Sequence, residues 1–202
     1  MKDSVALVMA AGQSRRFGSD KRKAVVGDGK SLLASTIQSI PNTYRRVFVA
    51  VRPDDNTFSL NLPDHVYVIR CLHALEGLSS SMAEAFAAIE DYCLTCYESD
   101  VESASTSVES IAVILGDMPF IDESTHTLLH RSSGAQVIVR PIYNGQPGHP
   151  VIVGREYWEK VKELRGDDGA KAVLADANVT QISVDDPGVI RDIDRQKDIP
   201  SA

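Results

Sequence analysis

Short apolar or β-branched runs alternate along the chain with stretches of helical period. Val5–Ala10, Val47–Val51, Val66–Arg70, Ile111–Leu115, Gln136–Arg140 and Val179–Val184 predict strands. Most are nearly continuous in apolar character, the mark of a strand covered on both faces rather than one. Between them, Leu32–Ile40, Met82–Cys96, Ser124–Arg131, Glu156–Leu164 and Ala170–Ala175 carry the spacing of helices packed on a sheet. Ser81 with Glu84 three residues on predicts a capping box at the start of the second helix. The pattern as a whole predicts a three-layer α/β/α sandwich around a mostly parallel, Rossmann-like sheet. One stretch has no period: residues 98–110 are rich in Ser, Glu, Thr and Asp, and they predict a flexible, solvated surface loop.

Composition narrows the picture. At 202 residues and 43% hydrophobic, the chain is long enough for one sizeable core, so residues 1–202 are expected to form a single domain. A formal charge of −7 disfavours a nucleic-acid footprint, which needs a basic stripe to displace counterions. No run of about 18 apolar residues is present, and Met1-Lys2-Asp3 leads into a strand without a signal-peptide pattern, so neither a membrane span nor export is expected and the cytoplasm is the expected compartment. Cys71, Cys93 and Cys96 are too few and too odd in number for a disulfide framework. The CxxC of Cys93 and Cys96 has no second half of a zinc site nearby and reads as buried or incidental thiols.

Three places carry candidate chemistry, and an α/β fold gathers such places at the carboxyl ends of its strands. Residues 10–21, AAGQSRRFGSDK, follow the first strand. Ala10, Ala11 and Gly12 let backbone approach a polyphosphate, while Arg15, Arg16 and Lys21 bring positive charge to the same mouth. Neither a GxGxxG fingerprint nor the GK[ST] end of a Walker loop is there; a plain turn with a solvated basic tip is the competing reading. Residues 115–120, LGDMPF, present Asp117 at the end of another apolar strand, where a carboxylate can hold Mg²⁺ or merely form a turn before proline. Near the carboxyl terminus, Asp192 and Asp194 alternate in an extended segment and point the same way, so either can complete a metal site.

Together these motifs resemble those of the MobA-like nucleotidyltransferases: MAAGQSRRFGSDK resembles their nucleotide signature, LGDMPF their metal-binding turn and RDIDRQKDI their closing element. Residues 76–81, EGLSSS, narrow the match, and 144–150, NGQPGHP, resemble the branch that includes molybdenum-cofactor cytidylyltransferases and related accessory proteins of molybdenum hydroxylases. The likeness runs in order from about Val5 to Ile199, departing from the pattern at Arg195-Gln196, where the family usually shows Thr-Pro.

The resemblance implies a nucleotide-diphospho-sugar-transferase type of fold and an enzyme that transfers CMP from CTP to a phosphorylated acceptor such as molybdopterin. Ala10, Ala11, Gly12, Arg16, Lys21, Gly77, Ser79, Ser80 and Ser81 would bind the nucleotide, with Arg16, Lys21 and Asp117 catalytic. Asp117 and Asp194 would hold Mg²⁺, and Gly148 and His149 would lie near the acceptor. The Ala-Ala-Gly at residues 10–12 resembles CTP-using members, GTP-using members usually carrying Ala-Gly-Gly, and the Ala11 methyl would crowd a purine. Phe17 is expected to anchor its loop in the core rather than stack on a base. Other readings remain: GTP or another triphosphate as donor, a different small phosphate as acceptor, or a noncatalytic accessory serving a molybdoenzyme client.

Overall fold

A computed structural model describes residues 3–27, 29–97, 108–167, 171–175 and 177–199. Its centre is a sheet of eight strands: β1 (Ser4–Met9), β2 (Val47–Val51), β3 (Val66–Arg70), β4 (Ser110–Leu115), β5 (Ile138–Tyr143), β6 (Gln146–Pro147), β7 (Val151–Gly154) and β8 (Val179–Ser183). The order is β3-β2-β1-β4-β7-β5-β6, with β8 on the other side of β5. β1, β2, β3 and β4 are parallel neighbours and β8 is parallel to β5, whereas β7 runs antiparallel between β4 and β5. The mostly parallel sheet is therefore as expected, but β6 and β7 were not. Their signal lies in the two-residue turn Asn144-Gly145, both at positive φ, which suits a tight hairpin between β5 and β6.

The near-continuous apolar strands are explained by two cores, one on each face. Along β1, Val5, Leu7 and Met9 enter one core while Ala6, Val8 and Ala10 enter the other, the period of two that a strand imposes. The first core is roofed by α2 (Leu78–Tyr97) and α4 (Trp158–Lys162), where Phe86 meets Trp158 edge-on. The second is roofed by α1 (Leu32–Gln38) and α3 (Glu123–Ser132), through residues such as Leu33, Ile37 and Leu129. The remaining helix, α5 (Lys171–Ala175), places Val173 in the first core. Ser31 caps α1, its Oγ accepting from the Ala34 N–H at 3.2 Å.

Several boundaries differ from expectation. β5 lies two to three residues later than Gln136–Arg140, and the helix expected over Glu156–Leu164 is a 3₁₀ turn followed by α4. The capping box is absent: α2 begins at Leu78, so Ser81 lies inside it and bonds to the Gly77 carbonyl, while Glu84 accepts from the backbone N–H of His73 at 3.1 Å. Of the loop expected over 98–110, residues 98–107 lie outside the described residues. Its last members are not solvated, since Val108 and Ser110 are buried and the Ser110 hydroxyl meets that of Ser4 at 2.7 Å. Cys93 is buried and free, and burial pushes its thiol up to about 11.

Candidate active site

The strand order reverses between β1 and β4: the chain runs outward from β1 through β2 to β3, then returns to β4 on β1's other side. Such a switch point opens a crevice at the carboxyl ends of the strands. A cleft of about 630 Å³ lies there, lined by residues 9–16, Lys21 and Arg22, by 74–78 with Ser81 and Asp167, and by 115–117 with Asp194.

Apolar packing brings the three candidate segments together. Phe17, Val26, Leu32 and Ile193 form a small buried cluster, so the loop after β1 and the carboxyl-terminal segment share one anchor, and Phe17 has the core role expected of it. Ile193 also donates its N–H to the Asp117 carbonyl at 3.0 Å. Arg191 lies over the Phe120 ring, 4.2 Å from its centroid, holding the same segment to the turn after β4.

These anchors place charges in contact. The Lys21 ammonium touches the Asp117 carboxylate and donates to Asp194 Oδ1 at 3.1 Å, and Arg16 Nη1 donates to Asp194 Oδ2 at 2.8 Å. Burial alone would lower the Lys21 pKa, but the two carboxylates outweigh it and raise it. The Lys21 hydrogen bond, with help from Arg16, holds Asp194 below its usual range. Asp192 joins the group: carboxylate oxygens of Asp117, Asp192 and Asp194 all lie within 4.8 Å of one another. Desolvation, with the neighbouring charges of Asp117 and Asp194, raises the Asp192 pKa. Asp117 Oδ1 is buried without a hydrogen-bond partner among the described residues. A repelling set of carboxylates with an orphan oxygen fits a hard divalent cation, which takes oxygen ligands.

The next residue serves differently. Arg22 is buried and donates to the Ala10 carbonyl at 2.9 Å, to both oxygens of Asp20 at 2.8 Å, and to Asp55 at 2.5 and 2.8 Å. Arg52 adds bonds to Asp55 at 3.2 and 3.1 Å. This network fixes the loop after β1 from behind. Sequence reasoning missed it, because Asp55 lies 33 residues from Arg22 and reads as a solvated loop residue.

Residues 6–182 match the MobA-like NTP transferase domain. The chain belongs to this family of nucleotidyltransferases. Among curated proteins, none matches. The fold superimposes with a TM-score of 0.73 on the Mycobacterium tuberculosis Rv0371c homologue from Mycobacterium sp. strain JC1, at 25% identity over 96% of this chain and 92% of that one. Rv0371c of M. tuberculosis H37Rv in complex with manganese gives 0.68 at 17% identity, covering 91% and 88%. Molybdopterin-guanine dinucleotide biosynthesis protein A from Archaeoglobus fulgidus gives 0.68 at 16%, covering 98% and 95%.

The remaining candidate residues of this MobA-like chain fall into two groups. Ala10, Ala11, Gly12, Gly77 and Ser81 line the cleft, whereas Ser79 and Ser80 are buried and do not line it. The first N–H groups of α2 are taken by a strap from the far end of the chain: Leu78 donates to Asp167 Oδ1 at 3.0 Å, and Ser79 and Ser80 to the Gly166 carbonyl at 2.9 and 3.3 Å. Gly77 permits this approach, since its φ of 130° and a Cβ only 2.5 Å from the Gly166 oxygen would exclude a side chain. Nothing in the sequence reading pointed to Gly166-Asp167. Gly148 packs against Val189, and half-buried His149 sits with Nδ1 3.3 Å from the Val113 carbonyl; neither forms part of the cleft wall. Burial lowers the His149 pKa.

Proposed function

We propose that the chain transfers CMP from CTP to a phosphorylated acceptor of the molybdopterin type, releasing pyrophosphate. The observation that carries this is the contact of Lys21 and Arg16 with Asp117 and Asp194 at the floor of a cleft large enough for a nucleotide. A noncatalytic accessory has no need of cations and carboxylates in that arrangement.

Asp117 and Asp194, with Asp192 beside them, would hold Mg²⁺, which when bound polarises the phosphoryl oxygens and offsets their charge. That a manganese complex is known for Rv0371c supports a divalent metal here. Arg16 and Lys21 face the same space and neutralise the triphosphate. The loop of Ala10–Gly12 gives it backbone to lie against, and Gly77 and Ser81 line the same cleft. Attack by an acceptor oxygen on the α-phosphorus forms one P–O bond as the bond to the β-phosphate bridge breaks, and pyrophosphate leaves with that electron pair. The residues position two anions and screen them from each other, which is most of what phosphoryl transfer needs. Ala11, a buried residue that lines the cleft, supports cytosine over guanine. Among the described residues no helix is long and apolar enough to cross a membrane, which accords with a cytoplasmic enzyme meeting a small-molecule substrate.

The test is pyrophosphate release from ATP, CTP, GTP and UTP with Mg²⁺, with and without molybdopterin. Release from CTP that depends on molybdopterin is expected. Release from GTP instead would replace the donor, and none from any triphosphate would end the transferase reading.

A further inference from the structure

Asp186 is a buried carboxylate, 3% exposed, and its bonds go to two separate segments. Oδ2 accepts from the Asp122 N–H at 2.9 Å and from the Thr125 hydroxyl at 2.7 Å, both at the start of α3. Oδ1 accepts from the Gly188 N–H at 2.8 Å, in the 3₁₀ turn Pro187–Ile190. Asp122 stands at the N-cap of α3, where an aspartate ordinarily caps its own helix, yet its side chain makes no capping bond. A carboxylate 64 residues further along the chain takes up that end of the helix instead. A local cap would satisfy α3 as well, whereas this one also ties two pieces of chain together. Burying a carboxylate is costly unless donors surround it. Its use here lies in having two acceptor oxygens, one for each segment, where an amide has a single one.

The two segments so tied are those that carry the clustered carboxylates. Residues 117–122 begin with Asp117 and run into α3, and residues 186–194 end with Asp192 and Asp194. Other contacts follow the same seam. Gly188 lies so close to the Phe120 carbonyl that a Cβ would come within 2.0 Å of its oxygen, Arg191 covers the Phe120 ring, and Ile193 donates to the Asp117 carbonyl. Asp117, Asp192 and Asp194 hold their oxygens within 4.8 Å of one another, and like charges at that spacing push the segments apart. Asp186 opposes that push with charge-assisted bonds. It does so from outside the cleft, since it is not among the lining residues.

We propose that Asp186 is a positioning residue for the divalent-metal site: by clamping the turn after β4 to the closing segment, it sets the gap between Asp117 and the pair Asp192 and Asp194, and with it the affinity for the ion. The assignment rests on the metal reading of those three carboxylates. Asp186 itself touches neither the ion nor the substrate. Without the clamp each ligand keeps its place in its own segment, but the segments are free to separate. Metal affinity then falls in a protein that is still folded, because a small ion such as Mg²⁺ demands near-ideal octahedral geometry.

The test measures Mn²⁺ binding, with and without CTP, from the electron paramagnetic resonance signal of the free ion in wild type and four variants. Asp186→Asn keeps the shape and removes one acceptor oxygen, Thr125→Val removes a single bond to the clamp, and Thr125→Ser keeps the hydroxyl. Ser110→Ala is the control: it breaks the buried hydroxyl pair with Ser4 at the amino ends of β1 and β4, lowering the melting temperature without touching the seam. Expected is a Mn²⁺ dissociation constant at least about tenfold higher in Asp186→Asn, about threefold higher in Thr125→Val, and within about twofold of wild type in Thr125→Ser and Ser110→Ala. In pyrophosphate release, the Mg²⁺ concentration for half-maximal rate should rise by the same factors, with the rate at saturating Mg²⁺ largely kept. Wild-type Mn²⁺ affinity in Asp186→Asn overturns the proposal. Should that variant not fold, unchanged affinity in Thr125→Val overturns it instead, and a loss of equal size in Ser110→Ala does so by making the effect one of general stability. If wild type binds no Mn²⁺ under either condition, the metal reading falls and the clamp with it, whereas bound Mn²⁺ with unchanged variants removes the clamp alone.

Discussion

Lys21 and Arg22 are neighbours in sequence and opposites in use. Arg22 is saturated: a buried guanidinium meets two carboxylates and a carbonyl, and Arg52 satisfies what remains of Asp55. Lys21 is poised: it meets two carboxylates at the cleft, sharing Asp194 with Arg16, and the other, Asp117, keeps a buried oxygen without a partner among the described residues. A complete ion network fixes structure, whereas an incomplete one at a cavity has capacity left for a ligand. Side by side, they let a rigid backing support a reactive front.

The comparison breaks most visibly at Arg22. Arg22→Ala leaves the half-buried Asp20 and Asp55 without their main counter-charge and should lower stability by about 3 kcal/mol, read from denaturant midpoints at unchanged m-value. A loss below about 1 kcal/mol would mean the network is not structural.

Asp117→Asn probes the poised side. It nearly keeps the shape and removes the charge, so turnover should fall at least ~100-fold, about 2.7 kcal/mol, with the melting temperature little changed. Retention of more than roughly a tenth of wild-type turnover would remove Asp117 as a principal ligand.

Acid should separate the two networks again. Burial alone would raise the Asp55 pKa, but Arg22 and Arg52 prevail and hold it at about 2, below the ordinary value of 3.8. A depressed carboxyl pKa contributes stability that is full above the unfolded value and is lost as pH falls through the folded one. The loss should therefore run from about pH 4 to about pH 2 and amount to about 2 kcal/mol. Unfolding free energies across that window, compared with Asp55→Asn, check it: the variant should be flatter, and equal slopes would assign the acid sensitivity elsewhere.

The smallest effect is expected where the two sides meet. Arg22 holds the Ala10 carbonyl from behind, and Ala11 lines the cleft in front. Ala11→Gly should shift the ratio of kcat/KM for CTP over that for GTP toward GTP by roughly tenfold, within the 1–3 kcal/mol of one methyl group in a close pocket. A ratio that does not move would place base selection at residues 74–78.

Much of this was legible in residue order. Strand and helix positions follow from apolar runs and period, because a strand covered on both faces must be apolar throughout. Gly12, Lys21 and Asp117 stood out because glycine, cation and carboxylate at successive strand ends have few structural uses together. Strands β6 and β7 were missed because two- and four-residue strands give too short a run to register a period, although Asn144-Gly145 marks the turn between β5 and β6. Ser79 and Ser80 were expected at the nucleotide on the family resemblance, and no sequence rule showed that their N–H groups would meet the Gly166 carbonyl.

The sequence by itself therefore determined the layers of this protein, the family and the chemical types that meet at the cleft, since each is written in local pattern and composition. Tertiary structure alone decided which charges are spent on each other and which remain for a substrate. Arg22 with Asp55, Leu78 with Asp167 and Lys21 with Asp194 are separated by 33, 89 and 173 residues. No local rule pairs residues so far apart: their contacts follow from where the sheet order carries each loop, and the satisfaction of a buried charge is a property of that packing.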